Sequence, residues 1–164
     1  MAREPTGGTM PMAQDDCGES FSLRKLAGRM VRETNPVYGD GSGIEVVRET
    51  VAQGLPVEAV KQLQAELKRF GVRRASEYVN SIVPRATLQR RESLKQDEGE
   101  TVLRVASVIA LAAYVWGNDE WAAEWLTCRH PMLGGARPID RALSEVGARQ
   151  VEHILYSLHF GLPA

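Results

Sequence analysis

Residues 102–116 read VLRVASVIALAAYVW, and this stretch decides the fold class. Only Arg104 and Ser107 interrupt its apolar residues. A helix that is apolar on nearly all sides has to be covered by neighbouring elements, so we predict a central, buried helix. The stretch is shorter than the ~20 residues that span a bilayer, which favours a core helix over a membrane segment.

Helical patterns extend from this centre in both directions. Apolar residues recur every three or four positions between Val57 and Phe70, and again between Ala148 and Leu158. Glycine or proline residues separate further predicted helices, which cover residues 44–53, 75–80, 84–94, 119–126, 139–143 and 145–160. No segment keeps the alternation of β-branched residues that is typical of strands. The sequence therefore predicts an all-α fold.

Length, charge and cysteine content exclude several classes of protein. The chain has 164 residues and a net charge of -1, which suits one domain or two small ones and argues against a bulk polyanion binder. Cys17 and Cys128 lie far apart, so a disulfide scaffold is not expected and a reducing compartment is the simplest interpretation. The first twenty residues lack a basic patch followed by an apolar run. We expect a cytoplasmic protein without a membrane segment.

The N-terminal region is predicted to be a disordered tail. Residues 1–20 show no periodicity, and Asn35-Pro36 and residues 39–43 break any helix before Ile44. The stretch Phe21–Val31 could form a short amphipathic helix, but folding is expected to begin near Ile44, which leaves residues 1–43 as tail. A true start at Met10, Met12 or Met30 is an alternative that the sequence leaves open.

A surplus of basic residues lies between Lys61 and Arg91. Eight basic residues stand against Glu66 and Glu77: Lys61, Lys68, Arg69, Arg73, Arg74, Arg85, Arg90 and Arg91. Neutralised phosphates supply most of the affinity for a DNA duplex, so such a surplus is typical of a DNA-binding face. A solvated surface without a partner is the alternative.

The same region has the layout of a helix-turn-helix. One helix ends at Gly71, a short helix follows, and Pro84 begins a third. The early residues of the second helix of such a motif reach base edges, and Arg85 and Gln89, four apart, suit guanine and adenine. The predicted DNA-binding residues are Arg85, Thr87, Gln89, Arg90 and Arg91.

No pattern of catalytic or metal-binding residues is visible. Cys128 and His130 are too few for a zinc site, which needs three or four protein ligands, and no Cys-x-x-Cys or phosphate-cradling loop occurs. We expect no catalytic site, metal or cofactor, and a small, partly buried Cys128. Trp116 is expected in the core. Trp121 and Trp125 fit core packing too, but exposure of either would indicate a binding surface.

The C-terminal third carries a series of spaced elements. They are Ala122, Trp125-Leu126, Leu133-Gly134-Gly135, Pro138 with Asp140, Gly147, Val151, Leu155 and Gly161. Upstream, Pro84-Arg85-x-Thr87-Leu88-x-Arg90-Arg91 precedes an acidic stretch and Leu103-Arg104-x-Ala106. Together they closely resemble the Xre/MbcA/ParS-type toxin-binding domain and Xre-like region of bacterial Res–Xre toxin–antitoxin systems, over residues 54–161.

The resemblance implies an antitoxin with two working regions. Residues 44–98 would be an Xre-like helix-turn-helix region that binds operator DNA, and residues 99–164 the central helix and toxin-binding domain. Its partner would be a Res-domain toxin that consumes NAD, and a homodimer is expected. A Leu-Gly-Gly turn permits close backbone approach, and aromatic residues near the chain end suit a partner cleft. The predicted toxin-binding residues are Trp125, Leu133, Gly134, Gly135, Pro138, Tyr156, His159, Phe160 and Gly161.

One residue departs from the family pattern, and other functions remain open. Arg141 stands where an aliphatic residue is expected, so the short helix there is expected to pack differently. The turn at residues 133–138 could also serve only to tie two helices together. The alternatives to an antitoxin are a stand-alone helix-turn-helix regulator without a toxin partner and, with the least support, a hydrolase or transferase.

Overall fold

Helices account for the regular structure of the chain. The computed structural model describes residues 20–37 and 39–162, and no residue in those ranges belongs to a named β-strand. The helices are α1 (Leu23–Glu33), α2 (Ile44–Ala52), α3 (Glu58–Arg69), α4 (Ala75–Ile82), α5 (Arg85–Leu88), α6 (Gln96–Trp116), α7 (Asp119–Thr127), α8 (Pro138–Arg141) and α9 (Glu145–Phe160), with a 3-10 turn at Pro131–Leu133. The predicted all-α fold is confirmed.

Helix α6 is the centre of the molecule. It packs against α1, α3, α7 and α9, and Val102, Val105 and Val108 are fully buried. By length and composition it could also cross a membrane, but 56% of its most apolar window is buried inside the fold. Burial by neighbouring helices is what the apolar stretch predicts for a core helix.

The start of α6 lies earlier than the apolar run. Asp97 and Glu98 occupy the first turn, where carboxylates interact favourably with the helix dipole. Glu98 also accepts a hydrogen bond from the backbone N–H of Lys95, at 2.8 Å. Gly117 ends the helix with φ of 61°. The acidic stretch is thus the beginning of the central helix.

Helix α1 corrects the prediction of a disordered tail over residues 1–43. Leu23, Ala27 and Val31, spaced by four, are buried against the core. The side chain of Gln62 ties the start of α1 to α3: its Oε1 accepts from the backbone N–H of Leu23 at 2.7 Å, and its Nε2 donates to the carbonyl of Phe21. The amphipathic pattern of residues 21–31 therefore forms a helix despite the helix-breaking residues at 35–36 and 39–43. Residues 1–19 lie outside the described part of the chain.

The helix predicted over residues 84–94 is wrong beyond its first turn. Helix α5 ends at Leu88, and the chain then runs alongside the segment before α3. The backbone N–H of Leu94 donates to the carbonyl of Leu55 at 2.7 Å, and that of Val57 donates to the carbonyl of Glu92. Leu94 is also buried. Its burial and these two hydrogen bonds favour the extended segment over a continued helix.

A continuous core joins the two predicted regions. Buried apolar residues from Leu23 in α1 to Leu155 in α9 form one cluster, and α6 contributes to it along its length. The predicted boundary between residues 98 and 99 falls within the first turn of α6. The division into a DNA-binding and a toxin-binding region remains a prediction.

Candidate functional site

The residues predicted to contact DNA surround the single turn of α5. Arg85, Gln89 and Arg90 are exposed, and Thr87 is half-buried. Arg91 differs, because its guanidinium lies 3.1 Å from the carboxylate of Glu98 and forms an ion pair that ties this loop to α6. The structure therefore gives Arg91 a partner within the fold, whereas Arg85 and Arg90 have none among the described residues.

Half of the basic surplus between Lys61 and Arg91 is neutralised locally. Ion pairs within the chain engage four of its members: Lys61 with Glu58, Arg69 with Glu66 and Asp119, Arg74 with Glu77, and Arg91 with Glu98. Within residues 20–37 and 39–162 no carboxylate pairs with the other four, which are Lys68, Arg73, Arg85 and Arg90, and all four are exposed. The free positive charge here is smaller than the sequence indicates.

The turn between α7 and α8 is held by its own backbone. The N–H of His130 donates to the carbonyl of Ala136 at 3.0 Å, and the N–H of Gly135 donates back to the carbonyl of His130 at 3.1 Å. Gly134 and Gly135 have φ of 65° and 76°, values that favour glycine. Leu133 is only 2% exposed, so it anchors the turn in the core.

Arg141 braces this turn from α8. Its guanidinium donates to the carbonyl of Leu133 at 2.9 Å, while the side chain remains exposed. An aliphatic side chain could not make this bond, which explains how the departure from the family pattern is accommodated. A second arginine, Arg137, donates two hydrogen bonds of 2.7 and 2.8 Å to the carboxylate of Asp140. The two arginines make the turn and α8 one rigid unit.

Helix α8 also contacts the upstream half of the chain through Tyr78 of α4. The Tyr78 hydroxyl donates to the carbonyl of Ile139 at 2.6 Å. Burial, reinforced by the nearby charge of Asp140, raises the pKa of Tyr78 above its ordinary value. The phenol therefore stays protonated and keeps donating. Sequence reasoning did not find this link, because 61 positions separate the two residues.

Tryptophan side chains lie beside the turn. Trp125 is half-buried and meets the ring of His130 edge-on, with ring centroids 5.7 Å apart. Trp121, one turn earlier on α7, is 60% exposed, and Met132 in the turn is also exposed. Trp116 is half-buried against the core. The exposure of Trp121 matches the condition that the sequence set for a binding surface.

Aromatic rings also gather at the end of α9. Phe160 lies 6.2 Å from Tyr156 and 4.8 Å from His159, and His159 lies 5.0 Å from Tyr114 of α6. Tyr114 is 48% exposed. Gly161 ends the helix with φ of 64°. We call these four rings the aromatic cap. Tyr114 was missed by sequence reasoning, because it belongs to the apolar run that predicts a core helix.

The nine residues predicted to bind a toxin fall into two places. The turn contacts α8, directly before α9, whereas the aromatic cap lies at the other end of α9. A helix of 16 residues is about 24 Å long, so α8, which precedes α9, and the aromatic cap lie at the two ends of that length. Leu133 and Pro138 are buried, and they shape the turn from within.

The segment that contains both places matches a known protein family. Residues 111–161 match the model of the antitoxin Xre/MbcA/ParS C-terminal toxin-binding domain. The chain carries this antitoxin domain. No curated protein matches the chain. This domain supports an antitoxin role in a toxin–antitoxin system and implies a toxin as the partner.

Apolar exposure is concentrated in the toxin-binding domain. Of the eight exposed large apolar residues in the described part of the chain, five lie within residues 111–161: Tyr114, Trp121, Met132, Val146 and Leu158. A domain that exposes apolar side chains in this density is suited to covering by another protein.

Gly147 fixes how the toxin-binding domain closes on itself. A Cβ at this position would lie 2.3 Å from the carbonyl oxygen of Arg141 and 2.7 Å from Oγ of Ser144. No side chain fits there, so the start of α9 approaches α8 as closely as bare backbone allows. The glycine of the family pattern thus has a steric reason in this structure.

A cleft adjoins the aromatic cap and shares Tyr156 with it. It has a volume of about 960 Å³ and lies between α1, α2, α6 and α9, with Tyr156 and Glu152 on its wall. Burial raises the pKa of Glu152, although Arg149 and Arg104 oppose the shift. The cleft was missed by sequence reasoning because α1 was placed in the tail.

Metal-binding geometry is absent from the described residues. No group of three or more His, Cys, Asp or Glu residues in those ranges could hold a metal ion. Cys128 is exposed, which corrects the prediction that it is partly buried. The reason is that α7 ends at Thr127, and Cys128 lies outside the helix face that packs on the core. Cys17 lies outside the described residues.

Proposed function

We propose that this antitoxin neutralises a Res-domain, NAD-consuming toxin by binding it, without catalysis of its own. The observation that carries the proposal is the match of residues 111–161 to the toxin-binding domain. That segment contains both the tryptophans beside the turn and the aromatic cap. The Res type of the toxin is supported by the resemblance of the spaced elements between residues 84 and 161 to Res–Xre antitoxins.

The toxin-binding residues proposed here act in two ways. Trp125, Tyr156, His159 and Phe160 offer partly exposed rings, which are typical anchors of protein interfaces. Leu133, Gly134, Gly135, Pro138 and Gly161 set the backbone that carries those anchors. Loss of a ring should reduce affinity directly, whereas loss of a backbone residue should reduce it by disordering the surface.

Co-expression with the Res-domain protein encoded beside this gene tests the proposal. The chain should rescue growth and co-purify with the toxin, and His159→Ala with Phe160→Ala should weaken both. Val46→Ala, an exposed apolar residue in α2 outside the domain, is the matched control and should change neither. Failure of the unaltered chain to rescue and to co-purify refutes the toxin assignment. Absence of a Res-domain neighbour favours a stand-alone helix-turn-helix regulator.

We also propose that the antitoxin represses its own operon as a cytoplasmic homodimer. Support comes from Arg85 in α5 and Arg90 after it, which are exposed and have no carboxylate partner within residues 20–37 and 39–162, and from the two half-sites that helix-turn-helix proteins usually read. Arg85→Ala with Arg90→Ala should weaken promoter binding and flatten its dependence on salt. Lys61→Ala, whose charge is paired with Glu58, is the control. A protein that is monomeric in sedimentation and binds no promoter fragment contradicts this half of the proposal.

A further inference from the structure

Helix α1 presents a basic surface to solvent. Arg24, Lys25, Arg29 and Arg32 are exposed, and the helix contains one carboxylate, Glu33. Arg24 and Arg32 are eight residues apart and therefore lie on the same side, about 12 Å from each other along the axis. Arg29 lies beside Arg32. The buried residues of α1 face the opposite way, towards α6.

The arginines of α1 differ from several exposed arginines of this chain that have a carboxylate partner. At those positions a carboxylate three or four residues away pairs with the guanidinium, as Glu45 does for Arg48 and Glu145 does for Arg149. Within residues 20–37 and 39–162 no carboxylate pairs with Arg24, Arg29 or Arg32. The positive charges of Arg24, Arg29 and Arg32 therefore remain available to a partner.

Gly28 lies between Arg24 and Arg32, one turn from each. A Cβ at this position would meet nothing within 4 Å, so packing does not require a glycine. A glycine inside a helix destabilises it relative to alanine. The bare backbone leaves a shallow gap in the middle of the basic surface, which allows a bulky polyanion to approach closely.

The first turn of α1 also works against the stability of the isolated helix. It holds Arg24 and Lys25 and no acidic residue. Cations are unfavourable at this end because the helix dipole is positive there. Three features of one surface thus weaken the free protein: like charges, cations at the positive end and an interior glycine. A bound polyanion would neutralise the like charges and the cations at the positive end of the helix, and it would fit against the bare backbone of the glycine.

We propose that α1 is a second DNA-contacting surface, which binds the phosphate backbone of a duplex through Arg24, Arg29 and Arg32 around Gly28. Guanidinium groups suit phosphate because they donate paired hydrogen bonds. The surface reads no bases, so it strengthens binding to any sequence. This inference rests on the DNA-binding half of the proposed function and adds a contact outside residues 61–91.

The test uses the full chain and two 40-bp duplexes, one from upstream of its gene and one of random sequence. Arg29→Gln with Arg32→Gln should lower the slope of log affinity against log salt by about 1.8 for both duplexes. This corresponds to about 30-fold weaker binding at 0.15 M salt if the variants converge at 1 M. Arg48→Gln with Arg149→Gln removes the same charge from paired positions and should leave the slope unchanged.

Gly28→Ala separates a binding role from a structural one. The substitution should raise Tm by roughly 2–4 °C, because alanine stabilises a helix interior, and should weaken binding to both duplexes. Toxin binding should stay unchanged in all α1 variants. A variant that is more stable and binds DNA as well as the unaltered chain overturns the role of the glycine.

The outcomes distinguish this inference from the function it rests on. If the unaltered chain binds neither duplex, DNA binding itself fails. If the unaltered chain binds and the α1 arginine variants keep its salt slope, the second surface is refuted while DNA binding stands. Loss of binding to vesicles containing anionic lipid, with DNA binding unchanged, would assign the surface to a membrane and also overturn the inference.

Discussion

Replacing Tyr78 with phenylalanine should destabilise the protein by removing a single hydroxyl. That hydroxyl donates to the carbonyl of Ile139, for which no other hydrogen bond is present among the described residues. Leaving a buried acceptor unsatisfied costs about 1–3 kcal/mol. For a chain of this size each 1 kcal/mol corresponds to roughly 2–4 °C in Tm.

Urea unfolding followed by circular dichroism measures this loss. The midpoint should fall while the slope m stays constant, because the substitution changes no large surface. Tyr114→Phe is the matched control: its hydroxyl is partly exposed and lies 3.5 Å from His159, so the expected change is within about 0.5 kcal/mol. Equal stabilities for Tyr78→Phe and the unaltered chain would refute the role given to this hydrogen bond.

The difference in stability between the unaltered chain and Tyr78→Phe should also depend on pH. The pKa of Tyr78 is raised on folding, so the folded state keeps a proton that the unfolded state releases above about pH 10. The stability of the unaltered chain should therefore fall as pH rises past 10. The phenylalanine variant lacks this titration, so the difference in unfolding free energy between the unaltered chain and the variant should become smaller above pH 10. A gap that widens above pH 10 contradicts the assigned cause.

Three further substitutions test the packing around the toxin-binding domain. Gly147→Ala should lower stability by about 1–3 kcal/mol, because its Cβ would overlap the carbonyl of Arg141, and urea unfolding checks this. Glu152→Gln should raise stability at pH 7 more than at pH 4, since burial raises the pKa of this carboxyl and the charged form weakens the fold as pH rises; thermal unfolding across pH checks this. Arg91→Ala should lower Tm by a few degrees, because it leaves the mostly buried Glu98 without its ion-pair partner.

Each of these substitutions has a matched comparison. Gly71→Ala adds a Cβ in open space, so any loss reflects its φ of 69° and not a clash. Glu145→Gln removes an exposed carboxylate and should show little pH dependence. Arg74→Ala breaks an exposed ion pair, worth about 0–1 kcal/mol, and should cost less than Arg91→Ala. Equal effects within any pair would contradict the corresponding explanation.

Local sequence patterns predicted the helices of the core well. The apolar run at residues 102–116 predicted α6, and the apolar residues between Ala148 and Leu158 predicted α9. Both predictions depend on periodicity within one segment. The assignment of residues 1–43 to a disordered tail was wrong for α1, although the amphipathic pattern of residues 21–31 was visible, because an 11-residue helix is marginal alone and its stability comes from packing on α6.

Contacts between distant residues explain what the sequence could not predict. The bond between Tyr78 and Ile139, the pairing of Leu94 with Leu55, and the contact of Tyr114 with His159 each join separate segments. No local pattern announces such a pair. For the same reason the sequence predicted nine toxin-binding residues without showing that they fall into two places, the turn with α7 and α8 and the end of α9.

The shared helix α6 has a consequence for the lifetime of the protein. One side of α6 is covered by α1 and another by α9, so neither half keeps a complete core without the other. A protease that removes α1 would expose apolar residues of α6 and destabilise the packing of the toxin-binding domain on that helix. Damage at one end of the chain would thus inactivate the other end, and a bound toxin would be released as a result.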